Sequence, residues 1–240
     1  MSVYSNIEIK AAIADDIIVC VPFNERHVSE ASLDFTLGHN FYKQEYQPES
    51  SGVYNPFDKT DVARYFKGPL EAMPHKQWCD NHGLRLFENI PEDHPIIVLR
   101  PGERILAHTH EFIGIRARGG ACEVKSRSSW GRNGVAVCFD AGWVDPGYIN
   151  RITLEIYNLN MHESVVLPVG ERIGQLIFHK TGEVDGDYSD GRGGVSGKYQ
   201  HTNDLDELIR TWMPEDMLPR AYKDTRRTAP EIKGLAKGMK

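Results

Sequence analysis

Asp145-Pro146-Gly147-Tyr148-Ile149-Asn150-Arg151-Ile152-Thr153-Leu154-Glu155-Ile156-Tyr157-Asn158 runs from a Pro-Gly turn directly into a stretch of period two. Alternation places Ile152, Leu154 and Ile156 on one face of a strand and Thr153, Glu155 and Tyr157 on the other. The same pattern repeats on both sides at short intervals. Strands are expected at Ile96 to Leu99, Ile105 to Ala107, Phe112 to Ala117, Val135 to Phe139, Ile152 to Asn158, Val165 to Leu167 and Ile173 to His179. Turn residues fill the gaps, as in Pro101-Gly102 and Pro168-Val169-Gly170. Short strands with turns this frequent predict a mainly β fold, a jelly roll or barrel with a few short helices, and exclude alternating β-α units.

Outward from this block the signal changes. Asn6 to Ala14 reads as a helix, Ile17 to Val21 as a strand, and Ser32 to Leu37 as a half-buried strand ending at Gly38. Between Tyr46 and Pro95 no steady period survives, which predicts an insertion with one helix near Asp61 to Phe66. After His201, Leu205, Leu208, Ile209 and Trp212 share a stripe, so Asn203 to Trp212 is expected to be helical. The tail from Pro214 to Lys240 is rich in Pro, Lys and Arg and is expected to wrap a neighbour or stay mobile. The organisation expected is one domain over residues 1–202, inserted at about 46–95, followed by a C-terminal helix and tail over 203–240.

Composition narrows the classes of function. The 240 residues are 40% hydrophobic and 26% charged, which suits a packed core and excludes wholesale disorder. Lys plus Arg number 28 against 34 Asp plus Glu, a net charge of −6 that argues against non-specific nucleic-acid binding. Cys20, Cys79, Cys122 and Cys138 form no Cys-x-x-Cys pair, so neither a disulfide framework nor a zinc knuckle is expected. No apolar run approaches membrane-spanning length and no signal-peptide pattern is present, so the expected location is the cytoplasm, away from membranes.

Four segments carry chemistry. In Lys125-Ser126-Arg127-Ser128-Ser129-Trp130-Gly131-Arg132, hydroxyls beside fixed positive charge are what a phosphate needs. A helical turn there would put Ser128 and Arg132 on one face; a solvated, serine-capped loop is the alternative. Glu155, in the middle of an apolar strand, marks either a solvated outer face or a site. The glycine-rich run Asp190 to Gln200, with Arg192 and Lys198, is either an anion cradle or a hinge; its spacing is not that of a Walker A loop. His108-Thr109-His110-Glu111 lacks a third ligand at a recognised spacing, so surface or hydrogen-bonded core histidines are expected rather than a metal site. The zinc deaminase signature is absent.

Taken in order, these segments resemble the dCTP deaminase branch of the dUTPase-like superfamily over roughly residues 6–202, apart from Tyr46 to Pro95. The resemblance rests on Ala31-Ser32-Leu33-Asp34-Phe35-Thr36-Leu37-Gly38, Leu99-Arg100-Pro101-Gly102-Glu103, Arg127-Ser128-Ser129 with Arg132, Ala141 to Tyr148 with Ile152-Thr153-Leu154-Glu155, Arg172-Ile173-Gly174-Gln175-Leu176, and Ser196 to Gln200. It implies a distorted jelly roll, a homotrimer with sites between subunits, and deamination of dCTP to dUTP without zinc, with Mg²⁺ carried on the triphosphate. Glu155 would then be the general base, with Ser128 and the carbonyl of Ala141 positioning the water and Arg132 supporting the base. Arg127, Ser128 and Lys198 would hold phosphates, and Asp145 and Tyr148 would meet the deoxyribose. Ser129, Trp143, Gln175 and Tyr188 complete the implied substrate-binding set. The implied small-molecule partners are dCTP and dUTP, with dTTP as an inhibitor.

The chain departs from that pattern at Thr202, where the family places a glutamine four residues after the phosphate lysine; Gln200 is the substitute at hand. Ala141-Gly142-Trp143 and Ser196-Gly197-Lys198-Tyr199-Gln200 look more like bifunctional members that form dUMP and pyrophosphate. A plain dUTPase and a non-catalytic nucleotide-binding regulator are the remaining alternatives.

Overall fold

The computed structural model describes residues 2–44, 52–186, 188–189 and 197–224. The first helix, α1 (Asn6–Ala14), begins where expected because Ser5 and Glu8 form a capping box: the Ser5 amide donates to Glu8 Oε2 at 2.9 Å and the Glu8 amide to Ser5 Oγ at 3.3 Å. It is followed by β1 (Ile18–Val21), β2 (Leu33–Thr36), β3 (Asn40–Gln44), α2 (Lys59–Tyr65), β4 (Phe66–Glu71), β5 (Met73–Pro74) and α3 (His75–His82). The strand-rich block contains β6 (Pro95–Leu99), β7 (Arg104–His108), β8 (Phe112–Ile115), β9 (Ala121–Ser126), the short α4 (Ser128–Arg132) and β10 (Val135–Val137). It closes with β11 (Trp143–Val144), β12 (Ile149–Asn150), β13 (Thr153–Asn158), β14 (Val165–Pro168) and β15 (Arg172–His179), and α5 (Leu205–Thr211) follows.

Among the described residues the strands form four sheets, ordered β1-β8-β12, β10-β13-β7-β3-β4, β11-β9-β15-β2 and β14-β6-β5. The paired strands run antiparallel. The sheets enclose one apolar interior without closing into a single hydrogen-bonded barrel. Phe35, Ile105, Ile113, Leu154, Ile156 and Phe178 sit at its centre with no exposed surface.

Three local expectations change. First, β2 is buried on both faces and not half-buried, because its polar residues are paired inside the fold. Asp34 accepts from Arg127 Nε at 3.2 Å and Arg172 Nη1 at 3.1 Å, while the Thr36 hydroxyl and amide donate to Glu111. Second, the 46–95 stretch contains more order than its missing period suggests. Besides α2, it contributes β4, which extends the five-stranded sheet beside β3, and β5 with α3. Third, Ala121–Ser126 is a strand interposed between β11 and β15.

The tail also differs from expectation as far as Asp224. Met217 is 3% exposed and packs with Tyr42, Val62, Phe66 and Leu106 in a second apolar cluster, joined by Tyr54, Tyr65 and Trp212. Burial of apolar surface on the outer face of the five-stranded sheet holds this segment to its own chain. Residues 225–240 lie outside the described residues.

Candidate active site

Glu155 occupies the expected outward position on β13, opposite Leu106 of β7, with Leu154 and Ile156 buried behind it. That outward face is only partly exposed. It forms the floor of a cavity of about 350 Å³ whose walls include Ala141, Trp143, Asp145, Tyr148, Tyr188 and Tyr199. Met217 and Pro219 cover a further side. Burial pushes the Glu155 carboxyl above its ordinary value; the Cys138 thiol and the charge of Arg104 pull it partly back. A carboxylate raised in this way readily takes up a proton and can return it, which is what general base catalysis requires.

A tight turn brings Ala141 to this carboxylate. Cys138 and Phe139 have φ of 92° and 39°, left-handed conformations that are costly for residues with a Cβ. The turn lets the Cys138 amide donate to the Glu155 carbonyl at 3.1 Å and the Ala141 amide donate to the Cys138 carbonyl at 2.8 Å. The Cys138 thiol then lies 3.3 Å from Glu155 Oε2 and 3.2 Å from the Ala141 carbonyl oxygen. Burial holds that thiol well above the usual range, so it stays protonated and acts as a donor.

The Asp145 to Tyr148 turn supplies the aromatic wall. Gly147 has φ of 88°, and its amide donates to the Ile115 carbonyl at 3.0 Å, which fixes the turn against β8. Gly114 lets the turn approach: a Cβ there would stand 2.0 Å from the Tyr148 carbonyl oxygen. Tyr148 meets Tyr188 edge to face, with centroids 4.9 Å apart. Burial pushes the Tyr188 hydroxyl up to about 12 and the Tyr148 hydroxyl upward as well, so both stay neutral. Trp143 Nε1 donates to Asp145 Oδ1 at 3.2 Å at the rim.

Gln200 does not stand in for the glutamine missing at Thr202. Its Oε1 accepts from the Ile149 amide at 2.7 Å and its Nε2 donates to the Gly147 carbonyl at 3.0 Å, so it braces the turn from beneath. It is 3% exposed. Its hydrogen-bonding groups are already committed.

The remaining expected residues lie elsewhere in the chain. Ser128 and Arg132 begin and end α4, as their spacing suggested, but neither lines the Glu155 cavity. They and Ser129 are exposed, while Arg127 is tied to Asp34. Gln175 on β15 accepts from Ser32 Oγ at 3.1 Å, also away from the cavity. Lys198 lines a neighbouring cavity of about 330 Å³, and Tyr199 belongs to both. Its ammonium pairs with Asp224 at 3.2 Å. Residues 190–196 of the glycine-rich run lie outside the described residues.

His108 is a hydrogen-bonded core residue. It has no exposed surface, its Nε2 accepts from the Asn40 amide at 3.3 Å, and burial pulls it down to about 4. Among the described residues, no group of three or more His, Cys, Asp or Glu side chains could hold a metal ion. Among them, too, no helix is long and apolar enough to cross a membrane.

Sequence reasoning missed Arg104, Tyr199, Met217 and Pro219 in the cavity lining, and Cys138 against the Glu155 carboxylate. Arg104 was accessible in principle, since it alternates with Leu106 on the strand paired with Glu155. Met217 and Pro219 carried no local signal, because only the folding-back of the tail brings them there.

A mainly β chain that encloses a desolvated carboxylate beneath tyrosines and a strained turn defines a class of enzyme-like, small-molecule sites. The chain belongs to the dCTP deaminase-like family, whose model matches residues 3–181. It is 32% identical over 186 residues to "dCTP deaminase, dUMP-forming" of Methanopyrus kandleri, covering 75% of this chain and 82% of that one. A protein of the same name from Halobacterium salinarum is 31% identical over 201 residues, covering 82% and 89%. A crystal structure of 2'-deoxycytidine 5'-triphosphate deaminase from Agrobacterium tumefaciens is similar to it with a TM-score of 0.49 and 20% identity, over 75% of this chain and 48% of that one.

Proposed function

We propose that this chain deaminates dCTP and carries the product on to dUMP and pyrophosphate. The observation that supports the deaminase reading best is Glu155, held in a desolvated cavity within reach of the Cys138 thiol and beside the Ala141 carbonyl. The naming of relatives at about 30% identity as dUMP-forming favours the second step over a stop at dUTP.

In the first step Glu155 takes a proton from water as the water oxygen bonds to C4 of cytosine and the C4=N3 double bond opens. Glu155 passes that proton to N3, while the remaining hydroxyl hydrogen donates a hydrogen bond to the Ala141 carbonyl. Glu155 then carries the hydroxyl proton to the exocyclic nitrogen as C4=O forms, the C4–N4 bond breaks, and ammonia leaves dUTP behind. Tyr148, Tyr188 and Trp143 offer ring surface to the sugar and base, with Asp145 at the rim. In the second step water cleaves the α–β phosphate bond, giving dUMP and pyrophosphate. Lys198 would exchange Asp224 for a phosphate oxygen of the substrate. Asp145 and Glu155 provide too few oxygen ligands to cage a cation between them, which fits Mg²⁺ held on the triphosphate itself.

The separation of α4 from the cavity supports a homotrimer in which Ser128, Ser129, Arg132 and Arg127 of one copy complete the site of the next. Sedimentation is expected to give three chains per particle, and an active monomer would contradict that assembly. The products separate the readings of function. Chromatography after incubation with labelled dCTP and Mg²⁺ is expected to give dUMP and pyrophosphate. Accumulating dUTP without pyrophosphate restricts the chain to deamination, and unchanged dCTP together with hydrolysis of dUTP supplied in a parallel incubation makes it a plain dUTPase.

A further inference from the structure

Arg104 stands in the Glu155 cavity without an assigned role. It lies opposite Tyr157 across the β7–β13 pair, as Leu106 lies opposite Glu155, so the four side chains share one face and Arg104 is diagonal to Glu155. Its guanidinium carbon is 5.4 Å from the centroid of the Tyr157 ring, and that ring packs on Phe139, next to the Cys138 turn. Arg104 Nε is buried and has no hydrogen-bond partner among the described residues. A buried donor left unpaired is costly unless something in the site accepts from it.

Charge makes the placement more specific. Among the described residues, Arg104 is the one cationic side chain that lines this cavity. The titratable groups of the other elements around Glu155 are the Cys138 thiol, the Asp145 carboxylate and the hydroxyls of Tyr148, Tyr188 and Tyr199, and none supplies positive charge. On its own strand Tyr157 adds another hydroxyl. Burial drives an isolated carboxylate towards its neutral form, which cannot act as a base. A guanidinium keeps its charge throughout the working pH range and opposes that drift. The resemblance to deaminases gives the support of the base to Arg132, which lies on α4 outside the cavity of its own chain.

We propose that Arg104 is a positioning residue for Glu155, its guanidinium serving as the built-in counter-charge that keeps the carboxylate ready to act as a base inside the cavity. The proposal rests on the reading of Glu155 as general base. The test is the pH profile of kcat/KM for dCTP in Arg104→Leu, Arg104→Lys and Glu155→Gln. Arg104→Leu is expected to move the acid limb to higher pH by about one unit, and Arg104→Lys to restore most of that shift, with KM changed little. An unshifted limb in Arg104→Leu, or a loss confined to KM, would overturn the proposal while leaving Glu155 as the base. Full activity in Glu155→Gln would instead remove the base reading, and this proposal with it. If Arg104→Leu does not fold, Arg104→Gln compared with Arg104→Lys reads the same limb, with the same outcomes.

Discussion

Glu155→Gln is expected to lower ammonia release from dCTP by about 10²–10⁴-fold, the usual cost of removing a general base, while the chain stays folded. The amide has the shape of the carboxyl but cannot take up a proton from water. Leu154 and Ile156 hold β13 in the core from the opposite face, so the exchange leaves the apolar packing untouched. A neutral amide is also cheaper to bury than a carboxylate, so the thermal midpoint should stay level or rise. The wild-type pH profile follows from the same burial. Glu155 is pushed above its ordinary value of 4.5, and only its ionised form is a base, so activity should climb through a limb lying above that value. Near-normal turnover in Glu155→Gln would remove the residue from the mechanism.

Asn158→Ala is expected to give the largest loss of stability. Asn158 has no exposed surface and closes β13 by donating from Nδ2 to the carbonyls of Leu99, Arg100 and Glu163 at 3.1, 3.1 and 2.9 Å. Its Oδ1 accepts from the amide and the side chain of Asn160 at 3.0 and 2.8 Å. Alanine removes all of these bonds, including the buried one to the Leu99 carbonyl, at about 1–3 kcal/mol for each group left unsatisfied. A net loss of about 3 kcal/mol would lower the thermal midpoint by roughly 6–12 °C for a chain of this size. The site should suffer as well, because these bonds tie the end of the Glu155 strand to the turn that leads into Arg104. Chemical denaturation measures the loss directly, and a change below about 1 kcal/mol would show that the network is dispensable.

The strand block was legible because its signals are local. A period of two and Gly or Pro at each turn predict β6, β7, β8, β13, β14 and β15 nearly to their ends. Ala121–Ser126 escaped because Glu123 and Lys125 dilute a short strand that follows two glycines and contacts its partners only in three dimensions. Apart from α2, the insertion escaped for a related reason: β4 gains its order from pairing with β3, and β5 from pairing with β6, neither of which is periodic.

The site was half legible. Motif order marked Glu155, Ala141, Trp143, Asp145 and Tyr148, the family resemblance added Tyr188, and all six line one cavity. It could not say that Arg127, Ser128, Ser129 and Arg132 would stand apart from that cavity, since spacing along a chain does not fix separation in the fold. Nor could it foresee that Gln200 would be used up beneath the turn, which depends on Gly147 and Ile149 arriving at its amide. The Cys138 thiol illustrates a third limit. A lone cysteine has no motif, and only two consecutive left-handed residues aim it at the carboxylate.

A Glu155 cavity that replaces the amino group of a cytosine nucleotide with oxygen must release ammonia. Ammonia release from dCTP in the presence of Mg²⁺, followed against nucleotide consumed, tests it most directly. One ammonia is expected for each dCTP consumed, with release lowered about 10²–10⁴-fold in Glu155→Gln. A protein that binds dCTP yet releases no ammonia would contradict it.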